Sequence, residues 1–168
     1  MQLFPSTRAA AGFLFCTVLA GGVLAAGRPA RAGEGCDGAG PHVNVVVEGL
    51  RSSRGDIVAE IYPDDAKRFL VHHEQVASIH QKLTGLNASV CLTVPSAGYY
   101  AMAVFHDENS DYKFNRNALG LPLEGFGLSN NPVVRLGMPS FGSIRFRVEG
   151  DTTLHVRLRY FLGGGPKQ

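Results

Sequence analysis

The sequence predicts an all-β protein, an antiparallel two-sheet sandwich of about seven strands with one long ordered loop. Three observations carry that expectation. Apolar and polar residues alternate with period two in window after window, Gly and Pro punctuate the chain at short intervals, and no long stretch after the N-terminal apolar run sustains a helical period.

The elements follow in order. "HVNVVVE" at 42–48 puts Val43, Val45 and Val47 on one face. "GDIVAEIY" repeats the pattern with Ile57, Ala59 and Ile61, then stops at "PDD", where Pro63 and two aspartates favour a turn. "KRFLV" at 67–71 reads as a short third strand, and between Val71 and Leu86 the pattern loosens into a helical turn or a long loop. "SVCLTV", the turn "PSAG" and "YYAMAVF" form a strand, a tight connection and the most β-prone strand, expected at the centre of a sheet. "SIRFRVEGDTTLHVRLRY" reads as a closing hairpin in which Ile144, Phe146 and Val148 face Leu154, Val156 and Leu158 across a turn at Gly150-Asp151.

The chain begins with Arg8, an apolar run from Ala9 to Ala26 and the small-residue site Ala30-Arg31-Ala32, which is the pattern of a secretory signal peptide. Residues 1–32 are expected to be cleaved, 33–162 to form a single β-sandwich domain and 163–168 a disordered tail. The product is a secreted or periplasmic protein with no membrane span after cleavage. Losing Arg8, Arg28 and Arg31 takes the formal charge from +2 to −1, which disfavours a nucleic-acid binder. Cys36 and Cys91 remain, and in an oxidising compartment they are expected to pair. Neither lies in a CxxC spacing, so neither a zinc site nor a redox motif is indicated.

The segment from His106 to Pro139 has nine Asn, Asp or Glu residues and little periodicity. A loop this long in a compact domain is uncommon and usually carries function or is ordered by a ligand. It starts "HDENSDYKFNRN". A hard cation needs several oxygens on a sharply curving backbone, and Asp107, Asn109 and Asp111 supply them at alternate positions, with the Lys113 carbonyl and Asn115 as further donors. Two positions depart from the calcium-loop pattern: Tyr112 stands where Gly makes the turn, and Ala118 where a carboxylate closes the site, with Glu124 the available substitute. The residues alone leave three readings open: a calcium site, a hydrogen-bonded polar turn and a catalytic cluster.

The run "PSAGYYAMAVFHDENSDYKFNRNALGLPLEGFGLSNN", followed by "MPSF" and the closing strands, resembles the secreted bacterial proteins of domain-of-unknown-function family 2141. Gly98, Tyr100, His106, Asp107, Glu108, Asn109, Lys113, Asn117, Gly120, Pro122, Glu124, Ser129, Asn130 and Asn131 fall on that family's pattern, and "VNVVVEGLRSSRGDIVAEIY" looks like its opening strands. Tyr112 and Asn115 depart from it, which weakens a cation site inferred from relatives. The resemblance implies a transthyretin-like (prealbumin-like) or carboxypeptidase-regulatory-like sandwich exported to the envelope, and it supplies no reaction.

Several further features remain candidates. His106, Glu124, Ser129, Asn130 and Asn131 are the candidate ligand-binding set, for an envelope protein, a peptide or a glycan. The segment "GLPLEGFGLSNNP" carries it, with Gly120, Gly125 and Gly127 free to take positive φ and Phe126 and Leu128 as apolar anchors. No catalytic residues are assigned, and no G-x-S-x-G elbow, HExxH helix, phosphate loop or dinucleotide fingerprint occurs. The alternative is a hydrolytic or carbohydrate-active accessory domain with His106, Asp107 and Glu124 clustered, His106 as general base and Ser129 as nucleophile. His72, His73 and His80 have the chemistry for a transition metal, against a plain polar linker. Arg145, Arg147, Arg157 and Arg159 would make one basic stripe on the expected hairpin, and the Asn87 sequon matters only in a glycosylating host.

Overall fold

The computed structural model describes residues 36–134 and 137–161, so the expected leader and tail lie outside the described residues. Among the described residues eight strands form two sheets. β1 (His42–Glu48), β2 (Asp56–Pro63), β3 (Ala77–Lys82), β4 (Ala88–Thr93), β5 (Gly98–Asp107), β6 (Gly125–Leu128), β7 (Arg145–Val148) and β8 (Thr152–Arg157) are joined by one short helix, α1 (Phe141–Ile144). The smaller sheet runs β4-β1-β8 and the larger β3-β2-β5-β6, with β7 also paired to β5. The expected all-β sandwich is present. Its ladders are antiparallel except that β1 and β8 pair in parallel, Val43 opposite Thr152.

Alternation decides what lies between the sheets, because successive side chains of a strand point to opposite faces. Val43, Val45 and Val47 of β1, Ile57, Ala59 and Ile61 of β2, and Tyr100, Met102 and Val104 of β5 all join one core cluster. Ile61 and Met102 are fully buried, each worth about 1.5–3 kcal/mol relative to exposure. A second apolar cluster covers the outer face of the larger sheet: Tyr62, Ala101, Ala103, Leu128 and Ile144, with Phe69 and Phe141 packed against them. Tyr62 and Phe69 meet edge to face at 5.2 Å between centroids. Cys36 and Cys91 are disulfide-bonded with Cα atoms 5.2 Å apart. Closing that 55-residue loop contributes about 4 kcal/mol in the chain-entropy account.

Three expected elements are corrected. "KRFLV" is a turn whose Phe69 anchors the outer cluster, and the third strand is "ASIHQK", which lies on a sheet edge and turns only Ala77 and Ile79 partly inward. The closing segment is not a hairpin. β7 pairs with β5 in one sheet and β8 with β1 in the other, so the Gly150-Asp151 turn is a corner between sheets. Phe146 and Val148 meet Val156 and Leu158 across the core, while Ile144 closes α1 and faces the outer cluster. Alternation reads the same for strands that share a ladder and for strands that face each other across a core. Finally, the long loop contains β6, which pairs with β5 through His106 and Gly125.

Candidate functional site

The long loop starts where β5 ends, and the last two residues of β5 diverge. His106 is fully buried on the inner side, where its Nε2 lies 2.7 Å from the Arg54 carbonyl and its Nδ1 2.7 Å from the Tyr160 hydroxyl. A carbonyl only accepts, so Nε2 carries the proton and Nδ1 accepts from the phenol. Burial holds the Tyr160 hydroxyl above its ordinary pKa, which keeps it a donor. Asp107, one residue later, points to the opposite face.

On that outer face one oxygen each of Asp107, Asp111 and Glu124 lie within 4.8 Å of one another. Asp107 and Glu124 are buried and Asp111 is exposed. The backbone wraps Asp107: the amides of Asp111 and Tyr112 donate to it at 3.2 and 2.7 Å. Asp111 accepts from the amides of Asn109 and Asn115, each at 3.0 Å, and from the Lys113 N–H at 3.0 Å. Its carboxyl is held below the usual range, chiefly by Asn115, then by Asn109 and Lys113. Glu124 accepts the Asn115 N–H at 3.0 Å, yet burial pushes its carboxyl up, and the charges of Asp107 and Asp111 add to that against the Asn115 hydrogen bonds. Three acceptors of like charge therefore converge on one point.

Local backbone geometry supports that convergence. Ser110 and Tyr112 have φ of 57° and 60°, so the position where a calcium loop uses Gly is left-handed here with Tyr in it. That conformation costs about 1–2 kcal/mol for a residue with a Cβ. The Tyr112 ring packs on His80, 4.9 Å away between centroids. Gly55, at φ 79°, touches the start of the loop so closely that a Cβ would sit 1.9 Å from the Asp107 carbonyl.

Of the expected cation ligands, Asp107, Asp111 and Asn115 meet around Glu124. Asn109 spends its amide on Asp111, and Lys113 contributes its N–H. Glu108 belongs to a different contact, which sequence reasoning missed. It binds the guanidinium of Arg51 and accepts from Ser52 at 2.9 Å, holding its carboxyl below the usual range and tying the loop to the β1–β2 connection. Arg51 also lies over the Tyr160 ring at 4.4 Å. These partners lie more than fifty positions from Glu108 in sequence, and no local pattern announces them.

The candidate ligand set does not converge. His106 lies on the inner side, Glu124 on the outer, and Ser129-Asn130-Asn131 at the far end of β6. The Ser129 hydroxyl accepts the Met102 N–H at 3.0 Å and donates to the Ile144 carbonyl at 2.5 Å. Asn130 donates to the Ser143 and Arg145 carbonyls at 3.2 and 2.7 Å. The Asn131 amide gives one hydrogen to the His155 carbonyl and takes the Arg157 N–H, both at 2.7 Å, so it pairs with β8 as a strand would. Both asparagines have positive φ, 62° and 48°, which Asn tolerates better than most residues. Here the side-chain amides stitch both sheets together. The cluster of His106 with Asp107 and Glu124 does not form, because strand alternation separates His106 from the two carboxylates.

Of the three glycines expected to take positive φ, only Gly120 does, at 76°, whereas Gly125 and Gly127 provide room. A Cβ on Gly125 would lie 2.3 Å from the Tyr160 ring. His72 and His73 stack on each other at 3.7 Å and His80 packs on Tyr112, so among the described residues the three form no metal group. The basic stripe is divided between sheets. Arg145 binds Asp64, Arg147 binds Glu149, Arg157 binds Glu48, and Arg159 donates to the Pro132 carbonyl. Asn87 sits exposed just before β4.

No curated protein and no solved structure matches the chain. Residues 45–155, from β1 through most of β8, match the family model described as an uncharacterized protein conserved in bacteria, DUF2141. That span includes the loop, the carboxylate cluster and the Ser-Asn-Asn stitch, and the chain belongs to this family.

Proposed function

We propose that the chain is an exported, transthyretin-like β-sandwich module with a binding or structural role in the bacterial envelope, and that its 107–124 loop is ordered by one calcium ion. The observation that carries the cation reading is the convergence of Asp107, Asp111 and Glu124 within 4.8 Å. Oxygens bound to one calcium ion lie about 2.3–2.6 Å from it, so that separation is what a shared ion permits. Backbone donors already fix Asp107 and Glu124 in place. Export is supported by the leader pattern and by the Cys36–Cys91 disulfide. A peptide, a glycan or another envelope protein is the partner class that fits this role.

The experiment is a thermal melt of metal-stripped protein with and without millimolar calcium, with magnesium as control, repeated for Asp107→Ala. A ligand that binds only the folded state stabilises it, by about 2.7 kcal/mol at one hundred times its Kd. The expected outcome is a calcium-specific rise in Tm that Asp107→Ala abolishes. Coincident melts would sink the calcium reading and leave the loop as a hydrogen-bonded closure.

A further inference from the structure

Among the exposed apolar side chains of the described residues, three stand at alternate positions of one segment: Leu119 at 83% exposure, Leu121 at 41% and Leu123 at 43%. Single exposed leucines are ordinary, whereas a group of them marks a site of contact with a protein or a membrane. The 107–124 loop rises past its carboxylates into a short ribbon in which Arg116 and Pro122 form an antiparallel bridge. The Leu123 N–H donates to the Asn115 carbonyl at 3.0 Å and the Asn117 N–H to the Leu121 carbonyl at 2.9 Å. Pro122 is buried, so alternation turns its neighbours Leu121 and Leu123 outward.

The crest of the ribbon is held from within. Asn117 Oδ1 accepts the N–H groups of Leu119 and Leu121 at 2.9 and 3.0 Å, and the Asn117 carbonyl accepts the Gly120 N–H at 2.9 Å. Gly120, at φ 76°, makes the turn. Leu119 is therefore exposed on an ordered backbone.

The charges beside the leucines are of one sign. From Tyr112 to Leu123 the chain has Lys113 and Arg116 and no acidic residue. Arg116 lies over the Phe114 ring at 4.9 Å and donates to the Gly120 carbonyl at 3.1 Å, which brings its guanidinium to the crest. Neither cation forms an ion pair with a carboxylate among the described residues. At the foot of the ribbon Glu124 is buried, and Asp111 accepts three N–H donors and attracts Lys113. Arg116 is the cation left facing outward.

We propose that this crest docks on an anionic phospholipid surface. Leu119, Leu121 and Leu123 enter the boundary between headgroups and acyl chains, and Arg116 and Lys113 meet the lipid phosphates. Lipid closes around a convex apolar group without a preformed pocket, and attraction of basic residues to anionic headgroups adds to the apolar burial. The contact is peripheral and needs no ion among Asp107, Asp111 and Glu124. It rests on the envelope reading only for where such a surface is met, and a vesicle assay decides it without reference to export.

Vesicles of equal parts phosphatidylglycerol and phosphatidylcholine are titrated into the full-length protein in metal-free buffer, with phosphatidylcholine vesicles alone for comparison. Cosedimentation should show binding to the mixed vesicles that falls with added salt and is much weaker on phosphatidylcholine alone. Leu119→Ser should weaken binding about tenfold, and Arg116→Gln about fivefold, the loss expected for one basic residue at such a surface, both without moving the melting transition. All comparisons are within one full-length chain, so residues outside the crest contribute equally. The chain has no tryptophan, so Leu119→Trp reports from the crest alone. Val71→Trp reports from beyond Pro63, which pairs with Tyr100 at the opposite end of β5 from Asp107. Emission of Leu119→Trp should shift to the blue with mixed vesicles and be quenched by brominated acyl chains, and that of Val71→Trp should not. Absence of binding overturns the proposal, and this is the result expected if the crest serves a pocket on a protein instead. Equal binding to phosphatidylcholine alone, binding that both Leu119→Ser and Arg116→Gln leave unchanged, or an equal shift of the two tryptophans overturns it as well. Should a substitution unfold the chain, the Leu119→Trp emission decides: a blue shift supports the docking and its absence refutes it.

Discussion

Two polar segments flank β6, and they use similar residues to opposite ends. In Ser129-Asn130-Asn131 the side-chain groups meet backbone groups of opposite polarity on β5, the α1–β7 segment and β8. In the 107–124 turn Asn109 and Asn115 donate to Asp111, but the carboxylates of Asp107, Asp111 and Glu124 still face one another. A buried polar group gains by being paired, and like charges brought together gain only if something opposite sits between them. The stitch is therefore complete in the chain itself, whereas the acidic turn leaves like charges facing one another.

The largest effect that would break this contrast is at the stitch. Ser129→Ala strands the buried Met102 N–H and Ile144 carbonyl together, and at about 1–3 kcal/mol per orphaned group a loss of about 2–6 kcal/mol is expected in chemical denaturation. Asn131→Gly keeps a backbone able to adopt positive φ but removes the amide from an exposed edge. It should cost less, about 1 kcal/mol, by the same measurement.

The pH dependence of the acidic turn sharpens the contrast. The Glu124 pKa is raised in the folded protein, so the folded state holds this proton where the unfolded chain has lost it. Its stabilising contribution is present below the unfolded carboxylate pKa and is lost as pH rises through the raised value. Melts taken across that window should show stability falling with pH, and Glu124→Gln should flatten the slope. Calcium should flatten it too by favouring the ionised carboxylate, whereas a slope indifferent to calcium would count against an ion at this site. Glu108 runs the other way: the Arg51 hydrogen bond lowers its pKa, so its contribution is lost as pH falls through that depressed value.

The smallest effect is expected on the surface. Arg145→Ala removes an exposed ion pair with Asp64, and a melt should show no resolvable change. A large loss there would mean that the stacking of Arg145 on the Tyr99 ring, 4.6 Å away, matters more than its exposure suggests.

Much of the fold was legible because alternation is local. Val43, Val45 and Val47, or Ile57, Ala59 and Ile61, announce a buried face without reference to any other segment. β3 was missed because an edge strand buries little and its alternation is faint. The closing strands were found but paired with each other, since their period fits a ladder and a facing pair of sheets equally well. At the candidate site, the oxygen-rich turn was legible as spacing, and Glu124 was a candidate ligand before its position was known. The roles of Asn130 and Asn131 were not legible, because a side-chain amide serves a ligand or a neighbouring strand with the same atoms.

The sequence by itself determined that strands dominate, which residues of most strands turn inward, where the long polar loop lies, and that two cysteines were available to pair. Only the tertiary structure decided that β7 and β8 belong to different sheets, that His106 and Asp107 part company, that Arg51 meets Glu108, and that β3 takes the end position of its sheet. The physical reason is range. Side-chain direction along a strand is set by the backbone within two residues, whereas partnership between polar groups depends on which distant segments the closed core brings within about 3 Å.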